Sequence, residues 1–151
     1  MHHYQRIFIL EGTAQLLDFD GYKSEVKQMF ANEELVLELF DEWVLLMRDL
    51  KGDSPQTAFS AHWENHYEKG VDRLKRYWPG ELESHAYRPC GLYYLSYHIY
   101  ISIYESAGFE KLMYVIENPA KLLSVYNELR MDSMLVPRIP DDIVILWQEN
   151  L

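Results

Sequence analysis

The sequence predicts an all-α protein: a single compact helical domain of about six to eight helices around a central aromatic helix at residues 91–107. Three observations predict it. Apolar residues recur at three- and four-residue spacing through most of the chain, good helix-capping residues punctuate those runs, and no stretch alternates convincingly with the period of a strand. At 151 residues with 48% hydrophobic and 15% aromatic content, the chain is one domain long and rich enough to bury a sizeable core.

The central element is Gly91-Leu-Tyr-Tyr-Leu-Ser-Tyr-His-Ile-Tyr-Ile-Ser-Ile-Tyr-Glu-Ser-Ala107, closed by Gly108. Tyr93, Tyr97, Tyr100 and Tyr104 share one helical face, Leu92, Leu95, Ile99 and Ile103 a second, and Tyr94, His98 and Ile101 a third. A helix apolar nearly all round belongs in the middle of a domain. Its serines, histidine and phenols make it too polar for lipid. Buried phenol hydroxyls need partners, so one side of this helix is expected to meet polar groups, a water-filled cleft or a ligand.

Residues 4–19 read as the first helix, with Ile7, Leu10, Ala14 and Leu17 as its stripe and Phe8 and Leu16 beside it, and Asp20-Gly21 stops it. A short helix is expected over 22–30. Asn32 is a good N-cap for a helix at 33–50, whose Glu33 and Glu34 suit the positive end and Arg48 the negative end of its dipole. Ser54-Pro55 opens a helix to about Lys69, 71–78 adds a turn or two, and Trp78-Pro79-Gly80 breaks the run before a loop at 79–90. After the central helix, Phe109–Glu117 forms a short helix, and Asn118-Pro119 caps the next, at about 119–130. Ser133–Arg138 has an extended character, and Asp141-Asp142 open a last helix through Trp147.

The formal net charge of −10 and the lack of any basic run speak against a nucleic-acid or anionic-membrane partner. The single cysteine, Cys90, allows no internal disulfide and fits a reducing compartment. Met1-His-His-Tyr carries neither the basic segment nor the apolar run of a secretory signal, so a cytoplasmic location is expected.

Two histidine arrangements have metal-ligand character. In His62-Trp-Glu-Asn-His66 the histidines stand one turn apart and can reach a common metal, with His85 and His98 as distant further ligands. At the N-terminus, Met1-His2-His3 followed by Tyr4-Gln5-Arg6 resembles the tail of an HExxH zinc helix, which a preceding His-Glu pair would complete. Glu11-Gly12-Thr13-Ala14 resembles the Glu-Gly-x-Ala element that supplies a third zinc ligand in gluzincin-type metallopeptidases. Gly91–Tyr97, Phe109-Glu-Lys-Leu, Glu117-Asn-Pro and Tyr126-Asn-Glu are similar to a late helical region of prokaryotic zinc-dependent peptidase domains of that type.

That resemblance implies His3 and Glu11 as metal ligands, Zn as the cofactor and a peptide as the substrate. It implies that Tyr94, Tyr97 or His98 faces the metal and stabilises an oxyanion. The chain holds no complete HExxH, so the first ligand and the catalytic glutamate are missing. The reading is of a truncated or degenerate peptidase domain, inactive as it stands. In one continuous helix His3 and Glu11 would be separated by a rise of about 12 Å and a rotation of about 80°, so a shared ion requires a break near Arg6–Ile9.

The alternative is a small acidic helical module that binds a protein partner or forms a homo-oligomer, anchored by residues of the Trp63, Trp78 or Trp147 segments.

Overall fold

A computed structural model describes residues 3–18, 32–49 and 92–151. Among them every regular element is helical, as expected: α1 (His3–Asp18), α2 (Glu33–Asp49), α3 (Leu92–Glu117), α4 (Leu122–Leu129) and α5 (Asp141–Glu149), with a 3-10 turn at Pro119–Lys121 between α3 and α4. The helices expected over 22–30 and 54–78, the loop at 79–90, and with them His62, His66, Trp63, Trp78, His85 and Cys90, lie outside the described residues. None of the described helices is long and apolar enough to cross a membrane.

The N-terminal arm of α3 is the axis of the fold. Every residue from Leu95 to Tyr100 is buried, and α1 makes its most extensive contact with this helix. Burial all round ends there. Ile101 and Ser102 are half-buried and Tyr104 is exposed, so among the described side chains the stretch sealed on every side is 95–100. Gly108 (φ 79°, ψ −177°) then divides α3 into two arms. That backbone conformation is open essentially to glycine alone, and it produces the break the sequence suggested at this position.

Helix α1 turns inward the edge of the expected apolar face on which Phe8 and Leu16 lie, not its centre at Leu10. Gln5, Phe8 and Gly12 are buried and Leu16 half-buried, whereas Leu10 is exposed. These four inward positions lie on one face at helical spacing. The expected stripe through Leu10 and Ala14 was weighted by side-chain apolarity, but what decides the rotation is the smallest side chain. A Cβ at position 12 would lie 1.8 Å from Ser96 Oγ and 2.8 Å from Tyr100 Cδ2, so only glycine lets the two helices come this close.

Phe8 ties the remaining helices to that crossing. Its ring stacks on Trp43 of α2 at 5.5 Å between centroids and meets Trp147 of α5 edge-on, also at 5.5 Å. Gln5 donates to the Trp147 carbonyl at 3.3 Å. Asn32 caps α2 as expected, its Oδ1 accepting the Leu35 N–H at 2.9 Å. From that start Leu35, Val36, Leu39, Phe40, Trp43, Leu46 and Met47 all point into the core.

Asn118 does not cap the helix that follows it. Its backbone N–H and its Nδ2 both donate to the Tyr114 carbonyl, at 3.0 and 2.9 Å, which closes the second arm of α3 instead. The stretch 131–140 is extended in part but pairs with no strand among the described residues. Side chains of α4 occupy its backbone groups. Tyr126 Oη and Arg130 Nε donate to the Val136 carbonyl, while Asn127 both donates to the Ile139 carbonyl at 2.8 Å and accepts its N–H at 2.9 Å. Asn127 thus satisfies this segment as a neighbouring strand would. It delivers Val136, Ile139 and Ile143 to the core and starts α5.

Candidate functional site

The sequence places its candidate chemistry on α1 and the first arm of α3, and those two helices pack against each other. The Glu11-Gly12-Thr13-Ala14 element crosses α3 at Ser96 and Tyr100. Ser96 Oγ donates to the Phe8 carbonyl at 2.5 Å, so its hydroxyl is spent on the α1 backbone. Thr13 turns its hydroxyl back onto its own helix, donating to the Ile9 and Leu10 carbonyls at 3.0 and 2.9 Å. The centre of the crossing is filled by the Phe8 and Tyr100 rings, with Leu95 and Ile99 behind them.

The break in α1 that a shared ion requires is absent. The helix runs continuously from His3 to Asp18, so the His3 and Glu11 backbones are separated by a rise of about 12 Å. Zinc bonds to nitrogen and oxygen ligands are about 2 Å long. An ion shared by this pair would need both side chains extended along the helix toward each other. The side chains of His3, Glu11 and Tyr94 fall outside what is described. Among the described residues no three His, Cys, Asp or Glu side chains are grouped as a metal site would need.

Tyr97 and His98 are both buried and their rings meet edge-on, 5.4 Å between centroids. Their arrangement is that of a core pair within one helix. Tyr100, fully buried, departs from the expectation that each phenol on this helix finds a polar partner. Its hydroxyl has none among the described residues, and burial drives its ionisation well above the ordinary range of tyrosine. The Trp43 indole N–H is likewise buried and unpartnered. Ring packing around Gly12 and Phe8 fixes both side chains, and their polar atoms go where the rings take them.

A second arrangement lies on the outside, between α2 and α5, and the sequence reading missed it. Arg48 Nε donates to Asp142 Oδ2 at 2.9 Å, with a second bond from Nη2 to Oδ1 at 3.3 Å. Asp142 is held below the usual carboxylate range, chiefly by its hydrogen bond to Arg48. At the other end of the contact, Trp43 and Trp147 flank the Phe8 ring. These two contacts follow opposite sequence orders, so α2 and α5 run antiparallel. In that register Leu45 stands level with Ile145, and Asp41 with Glu149. Leu45 and Ile145 are 56% and 55% exposed. The only sequence signal for this face was an apolar residue on the polar side of each amphipathic helix, at Leu37, Leu45 and Ile145. No family model, curated protein or solved structure matches this chain.

Proposed function

We propose that this chain is a non-catalytic, acidic helical module that acts by binding another protein through its surface. The observation that carries the reading is the α1–α3 crossing. There the two helices pack directly on each other, with Gly12 against Ser96 and Tyr100. The unbroken α1 also separates His3 from Glu11. The exposed apolar side chains on α2 and α5 supply the surface such a module needs.

The gluzincin-like reading draws on one observation of its own: the helix bearing Glu11-Gly12-Thr13-Ala14 does pack on the helix bearing Tyr97 and His98. In that reading the chain is a degenerate relative of zinc peptidases, with zinc and a peptide as its lost or weakened ligands. Metal analysis of the purified protein, together with cleavage of an unfolded casein substrate in added zinc, separates the two. The module reading expects no stoichiometric zinc and no cleavage. Stoichiometric zinc that is lost on His3→Ala, or cleavage dependent on the metal, overturns it.

A further inference from the structure

The antiparallel α2–α5 pair offers an ordered sequence of surface groups. From the Arg48–Asp142 ion pair, one turn along, come Leu45 and Ile145, and one further turn brings Asp41 and Glu149 level with each other. On α2 the row Glu34, Leu37, Asp41, Leu45 and Arg48 keeps to one side of the helix, and on α5 so does Asp142, Ile145 and Glu149. All of these residues are exposed. The two arginines near this face are already committed, Arg48 to Asp142 and Arg138 to Asp141 at 3.3 Å. The charges left on the two rows, Glu34, Asp41 and Glu149, are all acidic.

Resting on the module reading, we infer that this face is the docking site for a basic amphipathic helix of a partner protein. A helix laid along two antiparallel helices can set its apolar side chains, three or four residues apart, against their exposed apolar side chains. Leu45, Ile145 and Leu37 would receive them. Lysine or arginine one turn further along the partner would meet Asp41 and Glu149, both acidic and with no ion pair to a cation among the described residues.

Charge and area select this occupant over a second copy. A second copy would bring another net charge of −10 against this surface, and like-charge juxtaposition disfavours association. Three apolar side chains are also far short of the roughly 800 Å² per partner that a stable interface between domains buries. A helix of two or three turns is the partner that matches the length from Leu37 to Leu45.

The test is fluorescence anisotropy with the full chain and two labelled 18-residue synthetic peptides, one a Leu/Lys amphipathic helix and the other its Leu/Glu counterpart. The Leu/Lys peptide is expected to bind at least tenfold more tightly than the Leu/Glu peptide, with affinity falling as salt rises. Leu45→Ser with Ile145→Ser should weaken binding at least tenfold while the far-UV circular dichroism and melting curve stay those of the wild type. Asp41→Lys with Glu149→Lys should invert the preference between the peptides. Unchanged binding by the Leu45/Ile145 variant overturns the site. If that binding is instead lost with Phe109→Ser and Tyr114→Ser, docking is elsewhere and the module reading survives. Self-association of the wild type that disappears in the Leu45/Ile145 variant overturns the basic partner in favour of a second copy. Failure of every form to bind either peptide, with stoichiometric zinc lost on His3→Ala, overturns the site and the module reading together.

Discussion

The α1–α3 crossing and the α4–α5 unit are both buried, yet they treat polar groups in opposite ways. Around α4, Tyr126, Asn127 and Arg130 each bond a backbone group of the segment 131–140, and the Trp147 indole donates to the Pro119 carbonyl at 2.8 Å. At the crossing, Tyr100 Oη and Trp43 Nε1 have no partner among the described residues. The difference follows from what each region must hold. The α4–α5 unit contains irregular backbone, whose N–H and C=O groups must be satisfied inside the protein. The crossing joins two regular helices that satisfy their own backbones, so packing decides which side-chain groups are paired there: Ser96 reaches the Phe8 carbonyl, and an orphaned hydroxyl is tolerated where its ring packs well.

The largest effect that tests this contrast is expected at Gly12. Gly12→Ala gains helix propensity yet should lower stability by about 3 kcal/mol, because the new methyl overlaps both Ser96 and Tyr100. Adding Ser96→Gly removes the atoms it strikes, and chemical denaturation of the double variant should show favourable coupling of at least about 1 kcal/mol. Additive losses would mean that Gly12 is not a packing residue.

Next in size is Asn127→Ala, which strips both hydrogen bonds from Ile139. A loss of about 2 kcal/mol is expected in the same measurement, since it leaves a donor and an acceptor of the 131–140 segment without their partner. Stability within experimental error of the wild type would show that solvent replaces Asn127 at no cost.

The smallest effects separate the two tyrosines. Tyr126→Phe should destabilise by about 1 kcal/mol, whereas Tyr100→Phe should be neutral or stabilise by up to about 1 kcal/mol, because it deletes a hydroxyl that has no partner. Equal losses from both would remove the contrast between the regions. Both residues also couple folding to alkaline pH. Burial pushes Tyr126 up to about 12, partly offset by the Arg130 charge, and drives Tyr100 upward too. A phenol that ionises more readily in the unfolded chain favours unfolding once the pH passes its ordinary value near 10. Their contribution is therefore complete below about pH 10 and lost as pH rises toward the folded-state values. Urea titrations between pH 8 and pH 12 should show that decline. A midpoint that stays flat across the range would contradict it.

Local chemistry made much of the architecture legible. Asn32 with Glu33 and Glu34 announced the start of α2, Gly108 the break within α3, and Asp141-Asp142 the start of α5, each because the determinant lies within a turn of the feature it sets. The rotation of α1 was not legible. Leu10 looks like core and Gly12 like a weakness, and only the presence of Ser96 and Tyr100 across the gap reverses their roles. Asn118 was similarly ambiguous, since its amide can serve the helix on either side. Of the candidate site, the approach of α1 to α3 was anticipated, and so was the single helix over residues 4–19, whose continuity decides the separation of His3 and Glu11.

By itself, then, the sequence determined that the described chain is helical, where most of those helices begin and end, and that its surface is strongly acidic. These follow from backbone propensities, end-capping and a sum of charges, none of which needs a distant residue. Which edge of α1 is buried, which phenol lacks a partner and how α2 is tied to α5 were decided only in three dimensions. Each depends on contacts between residues about forty to a hundred or more positions apart, such as Gly12 with Ser96 and Arg48 with Asp142, and no local preference encodes them.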